Sequence, residues 1–361
     1  MENKRTLIIA EAGVNHNGSE DLAVQLINAA HQAGADIVKF QTFKAKHLVT
    51  ESAAQADYQV ENTKLKESQF SMLSKLELSF DAYMRLLQHC NAVGIEFLST
   101  AFDFESLNFL VKDLKLTKLK IPSGDLTNAP LVLAHAKTGC DLIISTGMAT
   151  LDEITSALGV VAFGYLSDDN ALPTVNAFKL AFESKEGQKA LKSKVTLLHC
   201  TTEYPAPFDE INLYAMASLK SKFNLPTGYS DHTQGISVPI AAVALGAVVV
   251  EKHFTLDKQM EGPDHRASLN PTELAAMVSS IRQIEKALGD GIKKPQKSEI
   301  KNINVARKSL VAISEIKIGD VYTEQNMAIK RPGGGLSPYL YWDVLGTPAK
   351  VHLFDGDFIV D

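Results

Sequence analysis

The residues from Ala247 to His253 begin as a β-branched apolar run and end abruptly in Glu251, Lys252 and His253. Such a run has the character of a buried parallel strand whose carboxyl end delivers polar side chains to an opening. Just upstream, Gly228-Tyr229-Ser230-Asp231-His232 closes a second short segment, and the helix-like residues 236–245 lie between the two histidines. Consecutive strands in a strand, helix, strand unit are usually neighbours. His232 and His253 would then stand at the same end and could share one metal ion, since imidazole suits manganese, iron, cobalt or zinc. The plain alternative is a pair of hydrogen-bonded strand-end histidines.

Lysines supply the second signal. Lys39 sits in Val38-Lys39-Phe40-Gln41 and Lys120 in Lys118-Leu119-Lys120-Ile121. A lysine inside an apolar strand needs an anionic partner or a reacting carbonyl, because an unpaired buried ammonium is too costly. With a side-chain period of two, Lys118 and Lys120 share a face, and Lys39 and Lys120 are expected to converge. One of them as a Schiff base would make a class I aldolase; both as cations would hold a phosphate or carboxylate. Ser99-Thr100 and Ser145-Thr146-Gly147 end further strands with hydroxyls and free backbone N–H groups. These suit an anion at the following helix N-terminus, with ordinary helix capping as the competing reading. Taken together they favour a small, doubly anionic ligand.

Other polar residues follow the same rule of position. In His199-Cys200-Thr201-Thr202-Glu203-Tyr204 and the two prolines after it, an extended loop would hold Tyr204 over the opening, while His199 reads as a core histidine before a ligand. Asn17-Gly18 reads as a tight turn before a Ser19 cap. Gly262-Pro263-Asp264 is a turn that would bring a carboxylate near the histidines, with His265 as a loop residue. The glycine-rich stretch from Lys330 to Pro338 presents Arg331, suited to closing on a substrate or to a solvated turn.

The elements that must position these groups alternate along the chain. Short apolar runs at 6–11, 37–41, 96–100, 118–122, 142–146, 195–200, 226–230 and 247–253 are separated by helix-like stretches such as 21–33, 80–93, 151–161 and 271–288. Eight strand and helix alternations in under three hundred residues predict an α/β fold, a (β/α)8 TIM barrel, over 1–288. The stretches 44–79 and 164–194 are long for barrel connections and read as extra loops with room for short helices. A charged, breaker-rich linker is expected over 289–305, followed by a small β-rich domain over 306–361 with a thin core.

Composition narrows the classes. The 361 residues are 45% hydrophobic and 22% charged with a formal net charge of −6, which gives no reason to propose nucleic acid. No apolar run approaches a membrane span and the first residues are not a signal peptide, so a cytoplasmic protein is expected. Cys90, Cys140 and Cys200 lie far apart, which argues against a disulfide framework or a zinc cluster.

Read together, Asn15-His16-Asn17-Gly18, Lys39-Phe40-Gln41-Thr42, Ser99-Thr100, Lys120-Ile121-Pro122-Ser123-Gly124, Ser145-Thr146-Gly147-Met148, Tyr229-Ser230-Asp231-His232, Glu251-Lys252-His253-Phe254, Gly262-Pro263-Asp264 and Lys330-Arg331-Pro332-Gly333 resemble the bacterial sialic acid synthase (N-acetylneuraminate synthase) family, in family order and over nearly the whole chain. That family includes the legionaminic and pseudaminic acid synthases, and its C-terminal module is an antifreeze-like SAF domain.

The resemblance implies condensation of phosphoenolpyruvate with the open-chain aldehyde of N-acetylmannosamine, giving a nine-carbon 2-keto acid and phosphate. It implies that Lys39, Thr100, Lys120, Ser123, Ser145, Ser230 and His232 hold phosphoenolpyruvate. His232 and His253 would bind a divalent metal, manganese first with magnesium or cobalt as alternatives. Gln41, Phe102, Asp125, Tyr204 and Asp264 resemble sugar contacts, and Arg331 resembles an arginine sent from a partner in a domain-swapped homodimer. Asn17 stands where certain members carry Glu, so proton transfer would fall to a metal-activated water, to Glu203 or to Asp264. The alternatives are a legionaminic or pseudaminic acid synthase taking a 2,4-diacetamido-6-deoxy-hexose, and a non-catalytic carbohydrate-binding barrel.

Overall fold

A computed structural model of the chain describes residues 5–168 and 170–360. It divides into two compact units, Met1–Gly289 and Asp290–Asp361.

In the first unit, eight parallel strands close into a barrel in the order β1 to β8: β1 (Leu7–Gly13), β2 (Ile37–Thr42), β3 (Glu96–Ala101), β4 (Lys118–Ile121), β5 (Asp141–Ser145), β6 (Val195–Cys200), β7 (Thr227–Asp231) and β8 (Val249–His253). Each matches an expected run to within a few residues, and β1 pairs with β8 to complete the ring. Every crossover carries helix, as a parallel connection requires.

Local signals explain the helix ends. The helix Leu151–Leu166 opens with a capping box in which Thr150 accepts from Glu153 N and the Glu153 carboxylate returns to Thr150 N. Asn270 and Glu273 do the same for Pro271–Ala287, with Pro271 at the first turn.

The expected loops are structured. Residues 44–79 fold into the short helices Ala45–Leu48, Asp57–Thr63 and Gln69–Leu76, and 164–194 into the end of Leu151–Leu166 followed by Val175–Glu183 and Lys185–Lys194. Thr174 and Ser184 cap the last two by accepting from Ala177 N and Gly187 N.

Inside the barrel the period of two sorts the side chains into layers. Ile9, Ile37, Leu98, Ile143, Leu198 and Val249 form a compact apolar plug, with Leu7 and Val248 packed against it. Gly228 stands where β7 crosses that plug, because a Cβ there would lie 2.4 Å from Val249 O and 2.8 Å from Leu198 Cδ2. Two residues further along each of these six strands come Glu11, Lys39, Thr100, Ser145, Cys200 and Glu251. The larger core lies between the barrel and its helices.

In the second unit, residues Lys297–Ala306, overlapping the stretch read as linker and ending one residue past it, form a helix at whose start Glu299 Oε2 accepts from Gln296 N at 2.8 Å. Two strands, β9 (Ser309–Ala312) and β10 (Met327–Lys330), pair antiparallel, and isolated bridges join Val311 to Phe358, Ile316 to Leu353 and Val321 to Pro348. Leu310, Ala312, Ile316, Tyr322, Met327, Ala349, Leu353 and Ile359 make its core, as thin as a module of this size predicts. Among the described residues, no helix is long and apolar enough to cross a membrane.

Candidate active site at the barrel mouth

All eight strands contribute one side chain to the floor of a single cavity of about 360 Å³: Glu11, Lys39, Thr100, Lys120, Ser145, Cys200, Ser230 and Glu251. The cavity opens at the carboxyl ends of the strands, where this architecture carries its reactive groups.

The two lysines converge on carboxylates. Lys39 Nζ lies 2.8 Å from Glu11 Oε2 and 3.6 Å from Glu251 Oε2, and donates to Thr100 Oγ1 at 3.1 Å. Lys120 Nζ is 3.5 Å from Glu251 Oε1, which also accepts from Ser230 Oγ at 2.9 Å. Gln41 Nε2 donates to Glu11 Oε1 at 3.1 Å. All four charged groups are almost fully buried.

Burial lifts the Glu11 carboxyl to about 7, with Lys39 pulling the other way. It works against the charge of Glu251 too, yet Lys120 and Lys39 hold that carboxyl down to about 2. For Lys120 burial wins, and its pKa is lowered. Lys118, on the same face one step towards the other end of the barrel, instead donates to Glu96 Oε1 at 2.8 Å.

Above the floor sit the histidines, their ring centroids 5.6 Å apart. His232 Nδ1–H donates to Thr201 O at 2.6 Å, which leaves its Nε2 lone pair for a ligand. His253 Nδ1 is buried without a hydrogen-bond partner, 3.9 Å from Asp264 Oδ2. Burial, with His232 and Lys39 nearby, drives its pKa far down, so it is a neutral imidazole. Burial works against charge on His232 too, but Cys200 beside it raises its pKa, so a metal there would displace a proton. Two imidazoles beside a carboxylate raised by burial to about 6 are a donor set a divalent transition metal accepts. Among the described residues no group of three or more His, Cys, Asp or Glu side chains is arranged as a complete cage. A metal here would need ligands from water or substrate.

Hydroxyls complete the site. Ser145 Oγ and Thr202 Oγ1 are buried and unpartnered, and Ser123 Oγ accepts from Gly147 N at 3.0 Å. Tyr204 packs over His232 with ring centroids 4.0 Å apart, and Tyr58 stacks on Tyr204 at 5.2 Å. Gln41, Phe102, Tyr204 and Asp264 all line the cavity.

One expectation changes. Asp125 is absent from the cavity lining; it sits in the short 3-10 turn Ser123–Asp125 and accepts from Asn128 Nδ2 at 3.1 Å. The turn ends the strand period of two and swings the carboxylate towards the next helix. His265, read as a loop residue, lies in the short 3-10 turn His265–Ala267 and is fully buried, bonding Asn17 Oδ1 at 3.1 Å and Thr255 Oγ1 at 2.7 Å. Arg331 belongs to the second unit, where its Nε donates to Ala306 O at 3.0 Å. His199 is structural as read, donating to Ile211 O at 2.7 Å.

Glu11, Glu251, Cys200, Thr202 and Tyr58 line the cavity without having been assigned a part by sequence. The period of two would have found the first two, since Glu11 shares a face with Ile9 and Glu251 with His253.

Known proteins share this arrangement of sequence. The model of the NeuB family matches residues 26–293. The chain is 51% identical to the N,N'-diacetyllegionaminic acid synthase of Campylobacter jejuni over 356 residues, covering 99% of both chains. It is 42% identical to the enzyme of the same name from Legionella pneumophila, covering 97% of this chain and 92% of that one. The crystal structure of an N-acetylneuraminic acid (sialic acid) synthetase from Leptospira borgpetersenii superposes with a TM-score of 0.66 at 34% identity, covering 83% of this chain and 91% of the other.

Proposed function

Because the chain belongs to the NeuB family and is an enzyme, we propose that it condenses phosphoenolpyruvate with a 2,4-diacetamido-6-deoxy-hexose to give a legionaminic acid-type nine-carbon 2-keto acid. Identity to two diacetyllegionaminic acid synthases, 51% and 42%, favours this acceptor over N-acetylmannosamine, the first expectation from sequence; the sialic acid synthetase structure stands at 34%.

The observation that carries the reaction is the convergence of Lys39 and Lys120 on Glu251 in the cavity that the unpartnered hydroxyls of Ser145 and Thr202 also line. Two buried ammonium groups at the cavity floor would hold the phosphate and carboxylate of phosphoenolpyruvate, with Thr100, Ser123, Ser145 and Ser230 as hydroxyl partners. Carbon 3 of the enol phosphate attacks the sugar aldehyde. Carbon 2 then takes up water, and the tetrahedral intermediate expels phosphate with cleavage of the carbon–oxygen bond.

His232 and His253 would hold a divalent cation, manganese first, which supplies Lewis-acid polarisation of the aldehyde. Tyr204 and Asp264 would orient the acceptor, together with Gln41 and Phe102. Asn17 has no proton to exchange at neutral pH and donates to Glu261 O at 2.8 Å. Asp264, in the cavity lining, is then better placed than Glu203 to move the proton. An Arg331 supplied by a partner's small domain in a homodimer, the SAF identity of that domain and a cytoplasmic setting belong to the same reading; Arg331 is exposed, as such a reach requires.

Phosphate release from phosphoenolpyruvate, followed with 2,4-diacetamido-2,4,6-trideoxymannose and with N-acetylmannosamine, tests the reading. It is expected to be faster with the deoxy sugar and to cease on chelation. Preference for N-acetylmannosamine would return the acceptor to the sialic acid precursor, and no release with either would end the reading.

A further inference from the structure

The cavity is polar at its floor and apolar on one side of its mouth. Val14, Met72, Leu73, Leu76 and Phe102 line that side. They are one packed unit: Val14, Phe43, Met72 and Leu76 form a cluster of buried side chains, with Leu73 and Phe102 packed against it. Three of these residues come from one helix, Gln69–Leu76, at positions 72, 73 and 76, a spacing that puts them on one helical face.

That helix sits in the connection after β2, and no floor residue comes from it. Ser68 caps it by accepting from Ser71 N, and Lys75 fixes it outside through Glu67 at 2.7 Å. The apolar wall is therefore held in place by contacts that do not involve the reacting groups.

An apolar wall distinguishes substrates by what it cannot do. Gln69, in the first turn of the same helix, also lines the cavity; beyond it the side chains of Met72, Leu73 and Leu76 donate no hydrogen bond, so a hydroxyl pressed against them loses water and gains nothing, whereas a methyl gains contact. In a sugar whose aldehyde lies at the histidines, the far end of the carbon chain points to the mouth.

We propose that the face made by Met72, Leu73 and Leu76 is the specificity-determining wall for the acceptor, accepting the methyl end of a 6-deoxy sugar and rejecting a hydroxymethyl end. This rests on the acceptor assignment proposed above and names the residues that enforce it. One such apolar contact is worth about 10- to 200-fold in discrimination.

The test is calorimetric titration of the intact protein with 2,4-diacetamido-2,4,6-trideoxymannose and with the same sugar bearing a 6-hydroxyl, alongside turnover. Wild-type protein is expected to bind the deoxy sugar at least about 10-fold more tightly. Leu73→Asn, at a half-buried position that tolerates a polar group, is expected to erase most of that difference while leaving the KM for phosphoenolpyruvate within about two-fold. Leu73→Ala, which adds no polar atom, guards against a failure to fold and is expected to narrow the difference in the same direction. Equal binding of both sugars by wild type, or an unchanged ratio in the folded variants, overturns the wall. Selective binding without phosphate release leaves the wall standing and overturns the proposed reaction.

Discussion

Lys252 and Asp231 form an ion pair at 2.5 Å with neither side chain exposed, and each stands one residue from a histidine of the site. Strands alternate their side chains, so the pair lies on the outer face of β7 and β8 while His232 and His253 face the mouth. Lys252 also donates to Thr233 O, and Asp231 accepts from Thr233 N at 3.0 Å and from Thr233 Oγ1 at 3.1 Å. The pair ties together the two strand ends whose spacing sets the distance between the imidazoles.

Removing one partner strands the other charge in the core. Lys252→Met is expected to cost about 3–5 kcal/mol in unfolding free energy, read from urea denaturation at pH 7. Pairing it with Asp231→Leu should recover part of that loss, because no charge is then left buried. A single variant within about 0.5 kcal/mol of wild type, the range of surface substitutions, would show that the pair is dispensable.

Lys120 has one carboxylate partner, at 3.5 Å, whereas Lys39 has two, at 2.8 Å and 3.6 Å. The less satisfied ammonium has more to gain from an incoming anion. Lys120→Met is expected to raise the KM for phosphoenolpyruvate by about 10- to 100-fold, in line with the loss of a charged hydrogen bond, with the sugar's KM nearly unchanged. Steady-state kinetics with each substrate varied in turn decides this; a parallel rise in both would remove Lys120 from phosphoenolpyruvate binding.

Barrel and lysines were legible for one physical reason: a charge in a β-branched run is costly, so it announces both the strand and the site. The carboxylates facing those lysines were equally visible in position, but Glu11 and Glu251 were each embedded in a longer motif and were not read by period. Asp125 failed because the period of two holds only while the strand lasts, and the chain turns at Ser123. The burial of His265 was not legible, since it bonds Asn17, 248 residues away, and no local pattern encodes that contact. The helices within 164–194 depend on single capping hydroxyls at Thr174 and Ser184, weak signals amid a polar stretch.

His135 offers a pH test away from the site. It lies buried on the helix Ala129–Lys137, its Nδ1–H donating to Leu131 O at 2.8 Å and its Nε2 without a partner. Burial lowers its pKa from 6.5 to about 4. As pH falls through 6.5 the unfolded chain takes the proton first, so the unfolded state binds more protons and stability drops, down to about pH 4. Lowering from 6.5 to about 4 is worth about 3 kcal/mol of stability between neutral and acid pH. His135→Leu is expected to flatten the acid slope by that share; His16 and His265, also lowered to about 4, keep the remainder. Unfolding free energies at pH 7 and pH 4.5 check it, and an unchanged slope would show that His135 does not titrate with folding.

Gly147 follows the Ser145 strand end, and a Cβ built there would lie 2.2 Å from Thr202 Oγ1 and 2.8 Å from Ser123 Oγ. The two hydroxyls can rotate, but Ser123 Cβ at 3.2 Å cannot, and turning Ser123 loses the bond its Oγ accepts from Gly147 N, so Gly147→Ala should cost about 1–3 kcal/mol. The same rotation would carry two hydroxyls out of the cavity they line and fill part of the space between them. A displacement of about 1 Å in a positioning group is enough to cost on the order of 100-fold in rate. Gly147→Ala is therefore expected to fold with a modestly lower melting temperature and, assayed below it, to lose at least about 10-fold in kcat/KM for phosphoenolpyruvate. Full activity in a folded variant would mean that neither the Ser123 hydroxyl nor that of Thr202 contacts the substrate.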